Sequence, residues 1–262
     1  MARKVSIKSA ADIDMARKAG AMAAEVLHMI AEHVRPGVTT DELDRICHDY
    51  IVNVQKAIPR TSGTTLSEDD LCFGQPRDLP RHPVGQGAEE RRHPQHRRGR
   101  HQGRWFGDTS RMYYVGQPSP LARRLVETTY EAMRAGIMAV KPGATLGDVG
   151  HAIQTVAHRE HFSIVREYCG HGIGQIYHDE PQVLHYGRPG EGLVLQPGMM
   201  FTIEPMINAG KPQTKQLPDG WTVVTKDRSL SAQWEHMVVV TETGYEVLTS
   251  WPDGFGSYPP IP

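Results

Sequence analysis

"VRPGVTTDEL" at residues 34–43 and "VKPGATLGDV" at residues 140–149 follow one pattern at an offset of 106 residues. Each reads Val, a basic residue, Pro-Gly, a small apolar residue, Thr, two variable positions, an acid and a branched apolar residue. Helix-turn-helix convention alone is the bland explanation, but a match of this length at a fixed offset favours internal duplication. Two copies are too few for a solenoid, so the expectation is two similar α/β halves around a pseudo-two-fold axis. The flanks agree. Residues 9–34 read as an amphipathic helix, with Ile13, Ala16, Ala23, Val26, Leu27, Ile30 and Val34 near helical spacing. Pro36-Gly37 stops it, and Thr39 with Glu42 forms a capping box that opens the next helix.

Strand signals gather in the second half: "SIVREY", "QVLHYG", "GMMFTIEPMIN", "GWTVVT" and "HMVVVTETGYEVLTS", the last with Thr-Glu-Thr-Gly as a hairpin turn. The fold class expected is α+β, with an antiparallel or mixed sheet. At 262 residues the chain has ample length for a buried core. Its 29 basic and 30 acidic residues give no global electrostatic case for nucleic acid or for an anionic membrane. Cys47, Cys72 and Cys169 are odd in number and widely spaced, which suits free thiols. The N-terminus lacks the apolar core of a signal peptide, and no apolar run suits a membrane span. A soluble cytoplasmic protein is the expectation.

Four residues with acid or imidazole side chains are placed at the ends of strand-like stretches: Asp108 in "GDTSRMYYVG", His171 in "YCGHGIG", Glu204 in "FTIEPMI" and Glu235 in "SAQWEHMVVV". Apolar or small neighbours allow each to be carried inward, and carboxylates are seldom buried without a partner. Three carboxylates with one imidazole suit a divalent metal such as manganese, iron, cobalt or zinc. Separate salt bridges and caps are the alternative, because strand-borne ligands have no fixed interval. His178, in "IYHDEP", is either an imidazole in contact with substrate or a turn histidine. His236 follows Glu235 and should face the other way.

These stretches, with "VREYCGHGIGQIYHDEPQVLHYG", "LQPGMMFTIEPMIN", "SAQWEHMVVVTETGYEVLT", "AGAMAAEVL" and "VRPGVTTDELD", closely resemble the type I methionine aminopeptidases of bacterial form. The likeness covers about residues 5–58 and 105–250. It implies a single "pita-bread" metallopeptidase domain over residues 1–262, duplicated, with a central antiparallel sheet. It also implies two divalent ions and hydrolysis of the initiator methionine from nascent chains at the ribosome, by a monomer. By motif, Asp108 and Glu235 would bridge the metals, His171 and Glu204 would complete one of them, and His178 would contact the scissile amide. Tyr177 and Trp221 would wall the methionine pocket. Glu204 would shuttle protons, and only a small second residue would pass.

Two motifs of that family are missing between the first repeat and Asp108: a Cys-His-Gly-Ile-Pro turn and an Asn-Ile-Asp-Val strand. In their place stands "FGQPRDLPRHPVGQGAEERRHPQHRRGRHQGR", residues 73–104. Written as CTG CCA CGG CAT CCC GTC, Leu79–Val84 shifted by one base reads TGC CAC GGC ATC CCG, Cys-His-Gly-Ile-Pro. Written as CGG CGA CAT CCT CAA CAT CGA CGT GGC, Arg91–Gly99 shifted likewise reads Gly-Asp-Ile-Leu-Asn-Ile-Asp-Val. Both motifs return, in order and in one frame, and synonymous freedom is too small to produce thirteen specified residues by accident. Residues from roughly 66 to 104 therefore read as an out-of-frame translation between two compensating single-base changes, with the lost histidine across Pro80 and Arg81 and the lost aspartate across Arg97 and Arg98. A basic surface loop and an RNA- or ribosome-binding arm are the alternatives, since eleven of the 24 residues from 81 to 104 are Arg or His.

A polypeptide with this sequence lacks one metal's private carboxylate and gains nearby guanidinium charge that opposes cations. Poor stability and weak or single-metal binding are then expected. Other readings are a proline-specific pita-bread peptidase, which generally carries an additional N-terminal domain, and a catalytically impaired pita-bread protein acting as a binding protein. Peptide mass spectrometry across residues 55–110 of protein from its native source is expected to return Cys-His-Gly-Ile-Pro and Asn-Ile-Asp-Val peptides. Peptides matching "GAEER" would instead show that the arginine-rich segment is translated.

Overall fold

Both copies of the repeated pattern fold alike. In the computed structural model, which describes residues 4–59, 88–89, 104–218 and 222–251, helix α1 (Ala10–Ile30) leads to α2 (Thr40–Asp49), and α3 (Pro120–Met138) leads to α4 (Leu146–Arg159). The glycine of each Pro-Gly turn has positive φ, +91° at Gly37 and +83° at Gly143, a conformation that costs a residue with a Cβ. The threonine two residues later then caps the second helix. Thr39 pairs with Glu42, and Thr145 with Asp148, in reciprocal capping boxes. A third box, Ser9 with Asp12, opens α1. That helix ends four residues earlier than its periodicity suggests, because residues Ala31–His33 tighten into a 3₁₀ turn. Tyr50–Val54 extends α2 as a π-helical turn.

Short strands surround these helices. Strands β1 (Ile58–Pro59), β2 (Ala88–Glu89) and β3 (Phe106–Gly107) form one antiparallel sheet in that order. The later strands are β4 (Ser163–Ile164), β5 (Gly170–Gly172), β6 (Asp179–Val183), β7 (Met200–Ile203) and β8 (Met206–Asn208). They continue with β9 (Thr214–Gln216), β10 (Val223–Thr225), β11 (Ser231–Gln233), β12 (His236–Val240) and β13 (Tyr245–Val247). A five-stranded sheet runs β13-β12-β7-β5-β6, a three-stranded one β11-β8-β4, and β9 pairs with β10. Among the described residues every pairing of these strands is antiparallel, which resolves the choice left open by the sequence. Thr241–Gly244 closes the β12–β13 hairpin as expected, with Thr241 N–H bonded to Gly244 O.

The larger core packs α3 and α4 against the sheets around Trp234, whose indole N–H donates to Val126 O at 3.0 Å. Its ring also meets Tyr130 edge-on at 5.2 Å. Helix α1 approaches more closely because its inner face is small: Ala16, Ala19, Gly20, Ala23 and Ala24 are all buried. A Cβ on Gly107 would lie 2.2 Å from Ala19 O, so β3 can touch α1 only as glycine at that position. Gly107 thereby brings the next residue, Asp108, into the interior. Among the described residues no helix is long and apolar enough to cross a membrane. Cys47 and Cys169 are free thiols, and Cys72 lies outside the described residues.

Replacing Thr145 by Ala removes the cap of α4 and should destabilise the protein by about 1 kcal/mol near neutral pH. Hydrogen bonds from the Thr145 and Gly190 backbone N–H groups and the Thr145 hydroxyl hold the Asp148 carboxyl below its ordinary 3.8. A depressed carboxyl contributes stability that is present above its unfolded value and is lost as pH falls through the folded one. Urea unfolding of the two proteins should therefore show their difference shrinking below about pH 4.

Candidate metal centre

The site lies where one long antiparallel ladder is interrupted. Strands β7 and β12 pair as Ile203 with His236, and β8 and β11 pair as Met206 with Gln233, all in a single register. Between them Glu204-Pro205 faces Trp234-Glu235 without strand pairing. Pro205 has no N–H to give to a ladder. The ladder's hydrogen-bonded pairs fall at Met199–Val240 and Ala209–Leu230, so by alternation the Glu204 and Glu235 N–H groups point outward and find other partners. Glu204 N–H donates to His185 Nε2 at 3.1 Å, and Glu235 N–H donates to Ser110 O at 3.2 Å. Ser110 and Glu235 form an isolated antiparallel bridge, and the Thr109 hydroxyl donates to Glu235 O at 2.7 Å.

Register then sets the faces. Continued one residue past Ile203–His236, it places Glu204 opposite Glu235. Ser110 shares the Glu235 face, and Asp108 lies two residues before it on the same side. His171 belongs to β5, whose Gly172 pairs with Phe201, which sets His171 opposite Thr202 and on the Glu204 face. The register shift between His171 and Gly172 against β6 is the kind of irregularity that re-aims a side chain beside an active site. His171 is thus within a strand rather than at its end. His236 points the other way, fully buried, with Nδ1 2.9 Å from the Thr249 hydroxyl.

His171 is the centre of the charge cluster. Its Nε2 is 3.5 Å from Asp108 Oδ2 and 3.8 Å from Glu204 Oε1. Its Nδ1 is 3.0 Å from Gly172 O, so Nδ1–H donates to that carbonyl and Nε2 is the nitrogen aimed at the carboxylates. Burial disfavours charge on this ring, but Asp108 and Glu204 outweigh it and raise the imidazole to about 8. His185, fully buried, is pushed the other way by burial, down to about 3, and stays neutral as an acceptor.

The donor set fits a divalent ion in its chemistry: three hard carboxylates and one imidazole. Like charges at opposed positions of neighbouring strands repel, and a cation between Glu204 and Glu235 removes that cost. Ser110 Oγ, buried on the same face, makes no hydrogen bond among the described residues. As the side chains stand, no group of three or more His, Cys, Asp and Glu among the described residues could hold an ion. The shared face and the donor chemistry support the fit. Backbone register fixes that face, whereas a change of side-chain torsion costs only about 1 kcal/mol.

Tyr177 and His178 flank the cluster. The His178 ring meets His171 edge-on at 4.4 Å, and Tyr177 packs on Phe106 at 5.4 Å. His178 is exposed. Trp221 lies outside the described residues, as do the arginine-rich positions Pro80, Arg81, Arg97 and Arg98. Sequence reasoning passed over Thr202, His185 and Gln233, which touch Glu204 or its backbone. The only available signal was Thr202's place two residues before Glu204, hence on its face of the strand.

The family model for metallopeptidase family M24 matches residues 14–242. The chain belongs to that family. It is 50% identical to a methionine aminopeptidase of Salmonella typhimurium and 48% identical to one of Escherichia coli K12, each alignment covering 94% of both chains. The crystal structure of methionine aminopeptidase from Rickettsia prowazekii matches with a TM-score of 0.78 and 42% identity, over 94% of this chain and all of that one. The expected α+β pita-bread fold and a metal-dependent hydrolase follow from this membership.

In metal-free protein, nitrogen-detected NMR should place the His171 midpoint near 8, and Asp108→Asn should move it downward. The pairing contributes stability fully present below the ordinary imidazole value and lost as pH rises through about 8. Divalent metal should displace the His171 proton, so that binding below this midpoint releases acid.

Proposed function

We propose that the chain removes N-terminal methionine from nascent polypeptides whose second residue is small, as a monomeric, cytoplasmic, single-domain enzyme working near the ribosome. The observation that carries this reading is the common face shared by Asp108, His171, Glu204 and Glu235 at the ladder break, in a chain half identical to a methionine aminopeptidase.

Those four residues would hold the divalent ion, manganese, iron, cobalt or zinc. In the family pattern two ions are held by five ligands. Here the position of the fifth falls across Arg97 and Arg98, so one tightly held ion is proposed for a chain with this sequence. When bound, the ion supplies Lewis acidity and a nucleophilic water at neutral pH.

The chain's own residues do the rest. Glu204, close to His171 yet accessible at its side-chain edge (13% exposed), takes a proton on its carboxylate and returns it to the departing amine. His178 donates a hydrogen bond to the scissile carbonyl as negative charge develops there. Tyr177, braced edge-on by Phe106, forms one wall of an apolar pocket for the methionine side chain, with Trp221 as a second wall. The carboxylates crowd the position after methionine, which restricts it to small side chains.

Release of methionine from Met-Ala and Met-Leu tripeptides, with each metal titrated into chelator-stripped protein, tests the reading. Activity should appear with metal, favour Met-Ala, and fall about 100-fold or more in Glu204→Gln or His178→Ala. Stoichiometric metal binding without methionine release would leave a metal-binding protein without this activity.

A further inference from the structure

Thr202 is buried and stands between the His171 backbone and the Glu204 side chain. Its hydroxyl accepts the His171 backbone N–H at 3.0 Å and lies 2.7 Å from Glu204 Oε1. His171 O is a poorer acceptor for the same hydroxyl, at 3.4 Å, and one proton serves one strong bond. The hydroxyl therefore donates to the carboxylate while accepting from the strand. A charge-assisted bond of this kind is stronger than a neutral one. It fixes the Glu204 oxygen that faces His171 Nε2 at 3.8 Å.

Two other contacts reach Glu204 at different atoms. The Glu204 backbone is held separately through its N–H bond to His185 Nε2. Gln233 Nε2 approaches the other carboxylate oxygen, Oε2, only at 3.5 Å. The approach of β5 to β7 that makes the contact depends on Gly170, where a Cβ would lie 2.4 Å from Thr202 O and 3.2 Å from Thr202 Oγ1. We propose that Thr202 is a positioning residue whose hydroxyl locks His171 and the Glu204 carboxylate into one geometry. The proposal rests on the reading of those two residues as metal ligands.

The test compares full-length wild type with Thr202→Val, which keeps the shape, and Thr202→Ser, which keeps the hydroxyl. Two quantities are measured: the Kd for manganese(II) by calorimetry, and hydrogen exchange of the His171 amide by NMR in metal-free protein. Circular dichroism checks folding, and Thr202→Ala replaces the valine variant if that one does not fold. Loss of a hydrogen bond that orients a ligand should weaken manganese binding by about 10- to 100-fold in Thr202→Val, with Thr202→Ser within about threefold of wild type. The His171 amide should exchange faster in Thr202→Val and near normally in Thr202→Ser. A folded valine or alanine variant with unchanged manganese affinity, or a serine variant that fails to recover it, overturns the proposal. If wild type binds no manganese, the metal reading fails, and the amide exchange then decides alone: protection lost in valine and kept in serine supports the lock, unchanged protection overturns it.

Discussion

Strands β7–β8 and β12–β11 keep one antiparallel register on both sides of a two-residue gap, and Pro205 in that gap has no N–H to give to the ladder. Glu204 and Glu235 face each other with backbone donors turned outward to His185 and Ser110. The outer edge of Glu235, turned away from Glu204, takes the 108–110 segment, which bridges to Glu235 and brings Asp108 with it.

Such an arrangement needs stiff surroundings, because side chains brought together from separate strands keep their spacing only if the strands beneath them do not move. All four residues of β7 and all five of β12 are buried, so neither strand can shift without moving the core. Trp234, inside the gap, is bolted to α3 by its hydrogen bond to Val126 and by Tyr130. Full burial of one aromatic side chain of this size is worth roughly 2–3 kcal/mol. Glycines set the remaining distances. Gly107 lets β3 touch α1, and Gly170 lets β5 touch β7. Hydrophobic packing thus holds charged groups in a geometry that their mutual repulsion would otherwise oppose.

The helices were readable because their signals are local. A Pro-Gly turn, a threonine and an acid three residues on determine where a chain stops one helix and caps the next, and both copies do so. The strands were readable as β-rich stretches but not as strands with ends. "GMMFTIEPMIN" became two strands split at Glu204-Pro205, and "SIVREY" kept only Ser163–Ile164. Asp108, His171, Glu204 and Glu235 were legible as candidates because acids and imidazoles between apolar residues are costly to bury without purpose. Thr202 was not, since a threonine in a strand is ordinary.

By itself the sequence determined the duplicated helix pairs, the α+β class and the residue types available for chemistry, because these depend on neighbours a few positions apart. The same reading exposed the arginine-rich replacement between the halves, since that is a property of order and composition. Only the tertiary structure decided the register that puts four distant side chains on one face, the nitrogen of His171 that faces the carboxylates, and the hydroxyl that joins His171 to Glu204. Such contacts link positions 31 to 127 residues apart. A one-residue slip in any strand would turn its side chains to the opposite face, and nothing in a linear sequence marks against such a slip until the strands are packed together.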